Sequence, residues 1–64
     1  MRTFVCTSRT AFDNEIYAAR VSGYTTTNPF VNIENDTIVY MYNKHETVMI
    51  VLTTTENAWL YELG

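Results

Sequence analysis

Apolar and β-branched residues concentrate in the second half of the chain. Thr37-Ile38-Val39-Tyr40-Met41-Tyr42 is β-branched and aromatic, the composition of a strand. Asn43-Lys44-His45-Glu46 is polar and reads as a hairpin tip. Thr47-Val48-Met49-Ile50-Val51-Leu52-Thr53 is apolar at every interior position, which suits a central strand buried on both faces. Thr54-Thr55-Glu56-Asn57 turns the chain, and Ala58 to Leu63 is expected to return as a third strand of a meander. Trp59, Leu60 and Leu63 also match helical spacing, so a C-terminal helix capped by Thr55 is the alternative.

A tip at residues 43 to 46 sets the hairpin register: Tyr42 opposite Thr47, Tyr40 opposite Met49, Ile38 opposite Val51. These six share one face, with Leu60 and Glu62 expected to join them. Val39, Met41, Val48, Ile50 and Leu52 share the other, with Trp59 opposite Leu52 and Tyr61 opposite Ile50. The aliphatic face is the expected core.

Upstream, Arg2 to Thr7 is a short strand with Phe4 and Cys6 on one side and Thr3, Val5 and Thr7 on the other. Thr10 followed by Asp13 resembles an N-cap with an acid at N3. Phe12, Ile16 and Ala19 form one helical stripe, and Ser22-Gly23 is a plausible C-cap, predicting a helix from Ala11 to Ser22. The competing reading is a strand from Glu15 to Val21. Tyr24 to Asn28 is polar and Thr-rich, Pro29 starts the next element, Phe30 to Ile33 is a short strand, and Glu34-Asn35-Asp36 turns it into the hairpin. The order β-α-β-β-β-β describes a single α+β domain over residues 1–64, one helix on a mostly antiparallel sheet of four to five strands. A small all-β barrel is the alternative fold. One helix cannot cover the whole sheet, so the far face is solvated, paired with a second copy, or docked on a partner.

Composition narrows the chemistry. Sixty-four residues hold one Cys and one His, so neither an intrachain disulfide nor a self-contained zinc site is available. Four basic against seven acidic residues give a net charge of −3, which argues against direct nucleic-acid binding. No apolar run reaches membrane-spanning length and no secretory signal pattern opens the chain, so a cytoplasmic location is expected. Cys6, followed by Thr7-Ser8-Arg9 ahead of the helix, has a nucleophilic reading as a thiol-transfer or redox residue. A buried apolar role is the simpler one. His45 at the tip lacks an orienting group or metal partners. Asn35-Asp36-Thr37 matches a glycosylation sequon but is also ordinary turn chemistry. No nucleophile-base pair, phosphate loop or metal spacing is present, so no enzymatic activity, cofactor or metal is expected.

Two groups remain as candidate partner-binding residues. Tyr40 and Tyr42, with Thr47 and Met49 across the hairpin, combine rigid amphipathic rings with a flexible thioether, residue types that interfaces enrich. Glu34, Asp36 and Glu56, at turns, are expected to cluster at one end of the sheet and offer an acidic rim to a basic partner, and Glu62 is expected to join the tyrosine face. The chain begins with Met1 and is expected to be the whole product of a very short gene. In size, acidity and architecture it is similar to small proteins of phages and mobile elements, among them anti-CRISPR inhibitors and antitoxin-like proteins. That resemblance implies a protein-binding inhibitor acting in the host cytoplasm on a larger host protein, such as a nucleic-acid-binding complex. A self-assembling homodimer is the second reading.

Overall fold

The β-hairpin forms as the pattern predicts. In a computed structural model that describes residues 1–62, β4 (Thr37–Tyr42) and β5 (Thr47–Leu52) pair antiparallel with Tyr42 opposite Thr47, Tyr40 opposite Met49 and Ile38 opposite Val51. Asn43 builds the tip: its Oδ1 accepts from the amides of His45 (2.8 Å) and Glu46 (2.9 Å), so two turn donors are satisfied locally.

β1 (Arg2–Cys6) lies parallel to β5, while the short strands β2 (Thr25–Thr26) and β3 (Phe30–Val31) both pair antiparallel with β4. Among the described residues the strands form one five-stranded mixed sheet, ordered β1-β5-β4-β2 with β3 also on β4. The sheet is open, so the barrel alternative falls. β5 is thus paired on both edges, which is why its interior is apolar at every position.

α1 (Arg9–Val21) covers one face. It begins two residues before the expected start: Ser8, not Thr10, is the N-cap, its Oγ accepting from the Ala11 amide at 3.1 Å. Asp13 is therefore no capping-box acid; it sits one turn from Arg9 and forms an exposed ion pair with it at 3.4 Å. The expected Ser22-Gly23 stop is correct. Gly23 adopts φ +95, its amide reaching the Arg20 carbonyl and the Tyr24 amide the Ala19 carbonyl, both at 3.0 Å. That pair of bonds is a Schellman closure, and glycine accommodates the left-handed residue without a Cβ penalty. Phe12, Ile16 and Ala19 pack on Phe4, Cys6, Val39, Met41, Val48, Ile50 and Leu52. The aliphatic face is the core, as the pattern indicated.

The C-terminal meander strand does not form. Residues after Thr53 turn and enter a one-turn helix, α2 (Trp59–Glu62), the helical alternative. Trp59 is consequently 55% exposed rather than opposite Leu52, and Tyr61 lies on the far face of the sheet rather than opposite Ile50. The result is a small α+β domain with one main helix on an open mixed sheet. No helix in the described residues is long and apolar enough to cross a membrane.

Candidate functional site

Strand register assembles the sheet face opposite α1 in three rows. Val5, Val51, Ile38 and Phe30 form one row across β1, β5, β4 and β3; Thr3, Met49 and Tyr40 form the next; Thr47, Tyr42 and Thr25 form the third. The first row is covered at Val51 and Ile38 and opens at Phe30, and the other two rows are largely open. Val51 is 0% and Ile38 5% exposed, whereas Tyr42 reaches 43% and Phe30 44%, with Tyr40 and Met49 half-buried. Phe30 stacks on Tyr40, ring centroids 5.9 Å apart and planes at 23°. Tyr40, Tyr42 and Met49 therefore do share one surface, joined by Phe30. Sequence reasoning identified Phe30 as a strand residue but not as part of this patch, because its neighbour is set by the β3–β4 register.

The acidic candidates divide. Thr37 opposite Leu52 places the turns at 32–36 and 53–58 at the same end of the sheet, so Glu34, Asp36 and Glu56 do share an end. Glu34 and Glu56 are exposed there and belong to no ion pair among the described residues. Asp36 departs from the expectation of a rim residue: it is 3% exposed and its Oδ2 accepts from the Tyr61 hydroxyl at 2.6 Å. Its carboxylate serves the fold. Asn32 completes this cluster, donating from Nδ2 to the Tyr61 oxygen at 2.7 Å while its Oδ1 accepts from the amides of Glu34 (3.1 Å) and Asp36 (2.9 Å). Burial, and then the bond to Asp36, push the Tyr61 pKa upward. Glu62 is exposed beside β1, lining a groove of about 350 Å³ with Met1, Thr3, Val5 and Tyr61.

A second polar cluster escaped the sequence reading. At the opposite end of the sheet Glu46 accepts from Arg2 through both carboxylate oxygens (3.1 and 3.3 Å) and from the Tyr24 hydroxyl. The Tyr24 bond, followed by Arg2, holds the Glu46 carboxyl below its ordinary pKa, and the same contacts raise Tyr24 and Arg2. Arg2, Tyr24 and Glu46 are 44 or fewer positions apart in sequence and share no motif, so only the fold reveals them. The cluster ties β1, the end of α1 and the hairpin tip together.

Cys6 is 5% exposed on the α1 face, and burial followed by the Glu15 charge raises its thiol pKa. That direction is the reverse of the lowered pKa on which the nucleophilic reading of Cys6 rests. His45 is exposed at the tip. Among the described residues no three His, Cys, Asp or Glu side chains gather as a metal-binding group. Comparison with protein-family models, curated proteins and solved structures finds no match to this chain.

Proposed function

We propose that the chain is a small non-enzymatic protein-binding module that docks the open part of its far sheet face on a larger protein. The observation that carries this reading is the patch of Phe30, Tyr40, Tyr42 and Met49, which lies on a β-sheet face and outside the cover of either helix. Aromatic rings fixed on paired strands lose little entropy on binding, and Tyr and Met are favoured interface residues. The partner is basic. The chain carries −3 overall, Arg2 and Arg9 are held by Glu46 and Asp13, and among the described residues Glu34 and Glu56 join no ion pair at one end of the sheet, with Glu62 exposed beside the same face. A basic groove of the kind that holds nucleic acid has this chemistry, which fits an inhibitor of the phage or mobile-element, anti-CRISPR type acting in the host cytoplasm.

The test is a tagged pull-down from nuclease-treated host lysate, comparing wild type with the Tyr42→Lys, Met49→Lys double variant. Support is a stoichiometric basic protein captured by wild type and lost by a variant whose circular dichroism is unchanged. Recovery of bait alone, eluting as a dimer, would overturn the inhibitor reading in favour of self-assembly.

A further inference from the structure

We infer that α2 is a releasable strap, fastened to the far face among the described residues by Tyr61, whose side chain crosses the Val5–Val51–Ile38 row, so that the far face has a closed and a fully open state. The row runs across three paired strands, Val5 beside Val51 and Val51 beside Ile38. Tyr61 spans it: the ring lines the groove that also contains Val5, and the hydroxyl bonds Asp36, two residues before Ile38 on the neighbouring strand. Val51 between them is 0% exposed.

The fastening is narrow. Among the described residues, α2 makes its side-chain hydrogen bonds to the rest of the fold through the Tyr61 hydroxyl alone, with Asp36 and Asn32. None of its four residues is buried, and Trp59 and Leu60 face solvent substantially. A groove of about 350 Å³ lined by Met1, Thr3, Val5, Tyr61 and Glu62 runs where α2 meets β1. One helical turn has too few internal bonds to persist without tertiary support, so losing the Tyr61 contacts releases the whole segment. Release leaves the hairpin and α1 in place, since the core they share lies on the other side of the sheet. It joins Val5, Val51 and Ile38 to the Phe30–Tyr40–Tyr42 patch as one continuous apolar face. The use of that enlarged face in docking rests on the function proposed above; the release is a property of the free chain.

Thiol labelling of the free chain tests the release without any partner. In Val51→Cys the introduced thiol lies in the row that Tyr61 crosses between Val5 and Asp36, and the native Cys6 on the α1 face serves as the internal reference. With each rate normalised to that of the denatured chain, the thiol at 51 is expected to react roughly 100-fold faster than Cys6, with little dependence on low urea, as local opening requires. Adding Tyr61→Phe is expected to raise the rate at 51 by about tenfold, the effect of one lost hydrogen bond to a charged group. Equal rates and equal urea dependence at the two thiols, or no response to Tyr61→Phe, would overturn the strap. The wild-type chain gives an independent reading, because Trp59 is its only tryptophan. A Trp59 fluorescence transition at lower urea than the circular-dichroism transition supports release, and coincident transitions refute it.

Discussion

The two faces of the sheet are covered by unequal helices, and on the function proposed above the difference separates stability from recognition. On one face a 13-residue helix inserts Phe12, Ile16 and Ala19 among side chains of β1, β4 and β5. On the other a four-residue helix lays one tyrosine across one row and leaves the next two rows open. Each face also carries a tyrosine bonded to a carboxylate, Tyr24 to Glu46 on the first and Tyr61 to Asp36 on the second. Around the first pair the core is already closed; the second pair is itself the closure. Sixty-four residues supply one full hydrophobic interface, and the other face keeps its Tyr42 and Phe30 rings open to solvent.

The sharpest way to break the comparison is to strike the closed face. Phe12 is 2% exposed at the centre of that core, so Phe12→Ala is expected to cost about 3–5 kcal/mol, a large share of the stability of a domain this size. Urea unfolding followed by circular dichroism would show most of the protein unfolded without denaturant. A loss below about 1 kcal/mol would mean that α1 is not the principal cover.

The closed face was legible in the sequence because its determinants are local or periodic. The alternation of Val39 and Met41 with Ile38 and Tyr40, the four-residue tip and the Phe12, Ile16, Ala19 stripe each specify side-chain direction without knowledge of the rest of the fold. The far face was legible only in part. Tyr40, Tyr42 and Met49 followed from the same hairpin register, but their cover did not. Trp59, Leu60 and Tyr61 fit strand and helix alike over so short a run, and the bond that ties the helical form to the sheet, from Tyr61 to Asp36, lies 25 positions away. Asp36 was misread for the same reason: an acid in a turn is ordinarily solvated, and nothing local shows that a tyrosine will bury it. Thr25–Thr26, too short to carry a periodic pattern, owes its strand to the β4 edge beside it.

The second strongest perturbation falls on the open face. Tyr61→Phe keeps the ring but leaves the Asp36 carboxylate without its hydroxyl donor, an expected loss of about 1–3 kcal/mol in the urea transition of Trp59 fluorescence, which reports α2. The ratio of this loss to that of Phe12→Ala measures the inequality of the two faces directly. Equal losses would make α2 as integral as α1.

A smaller effect separates the two tyrosine–carboxylate pairs by pH. The folded-state pKa of Glu46 is lowered, first by Tyr24 and then by Arg2, so its contribution is present above the ordinary carboxylate value of 4.5. It is lost as pH falls through the lowered folded value. Thermal melts taken downward from neutral pH should therefore show an acid limb that Glu46→Gln flattens, and the limb should be slight because the pair is solvent-exposed and screened. On the alkaline side both Tyr24 and Tyr61 have raised folded-state pKa values, Tyr61 chiefly by burial. Their contributions are complete below the ordinary tyrosine value of 10.0 and disappear as pH rises through the folded values. Tyr61→Phe should remove the part of that alkaline limb belonging to the far face and leave the acid limb of Glu46 intact.

The smallest expected change in stability is the most informative about recognition. Tyr42 is 43% exposed in the row formed with Thr47 and Thr25, and no side chain of either helix is bonded to it. Tyr42→Lys places a charge where water already reaches and keeps a long aliphatic stem against its neighbours, so stability should change by no more than about 0.5 kcal/mol. The same substitution one residue away, at Met41 on the closed face, would bury an unpaired charge beneath α1 and abolish folding. Adjacent positions on one strand thus give opposite outcomes because their side chains face opposite covers. If Tyr42→Lys unfolds the chain as Met41→Lys does, the far face is core and the docking proposal fails. If it melts as wild type does while losing its partner, the inequality of the two faces is the means by which so small a protein both folds and binds.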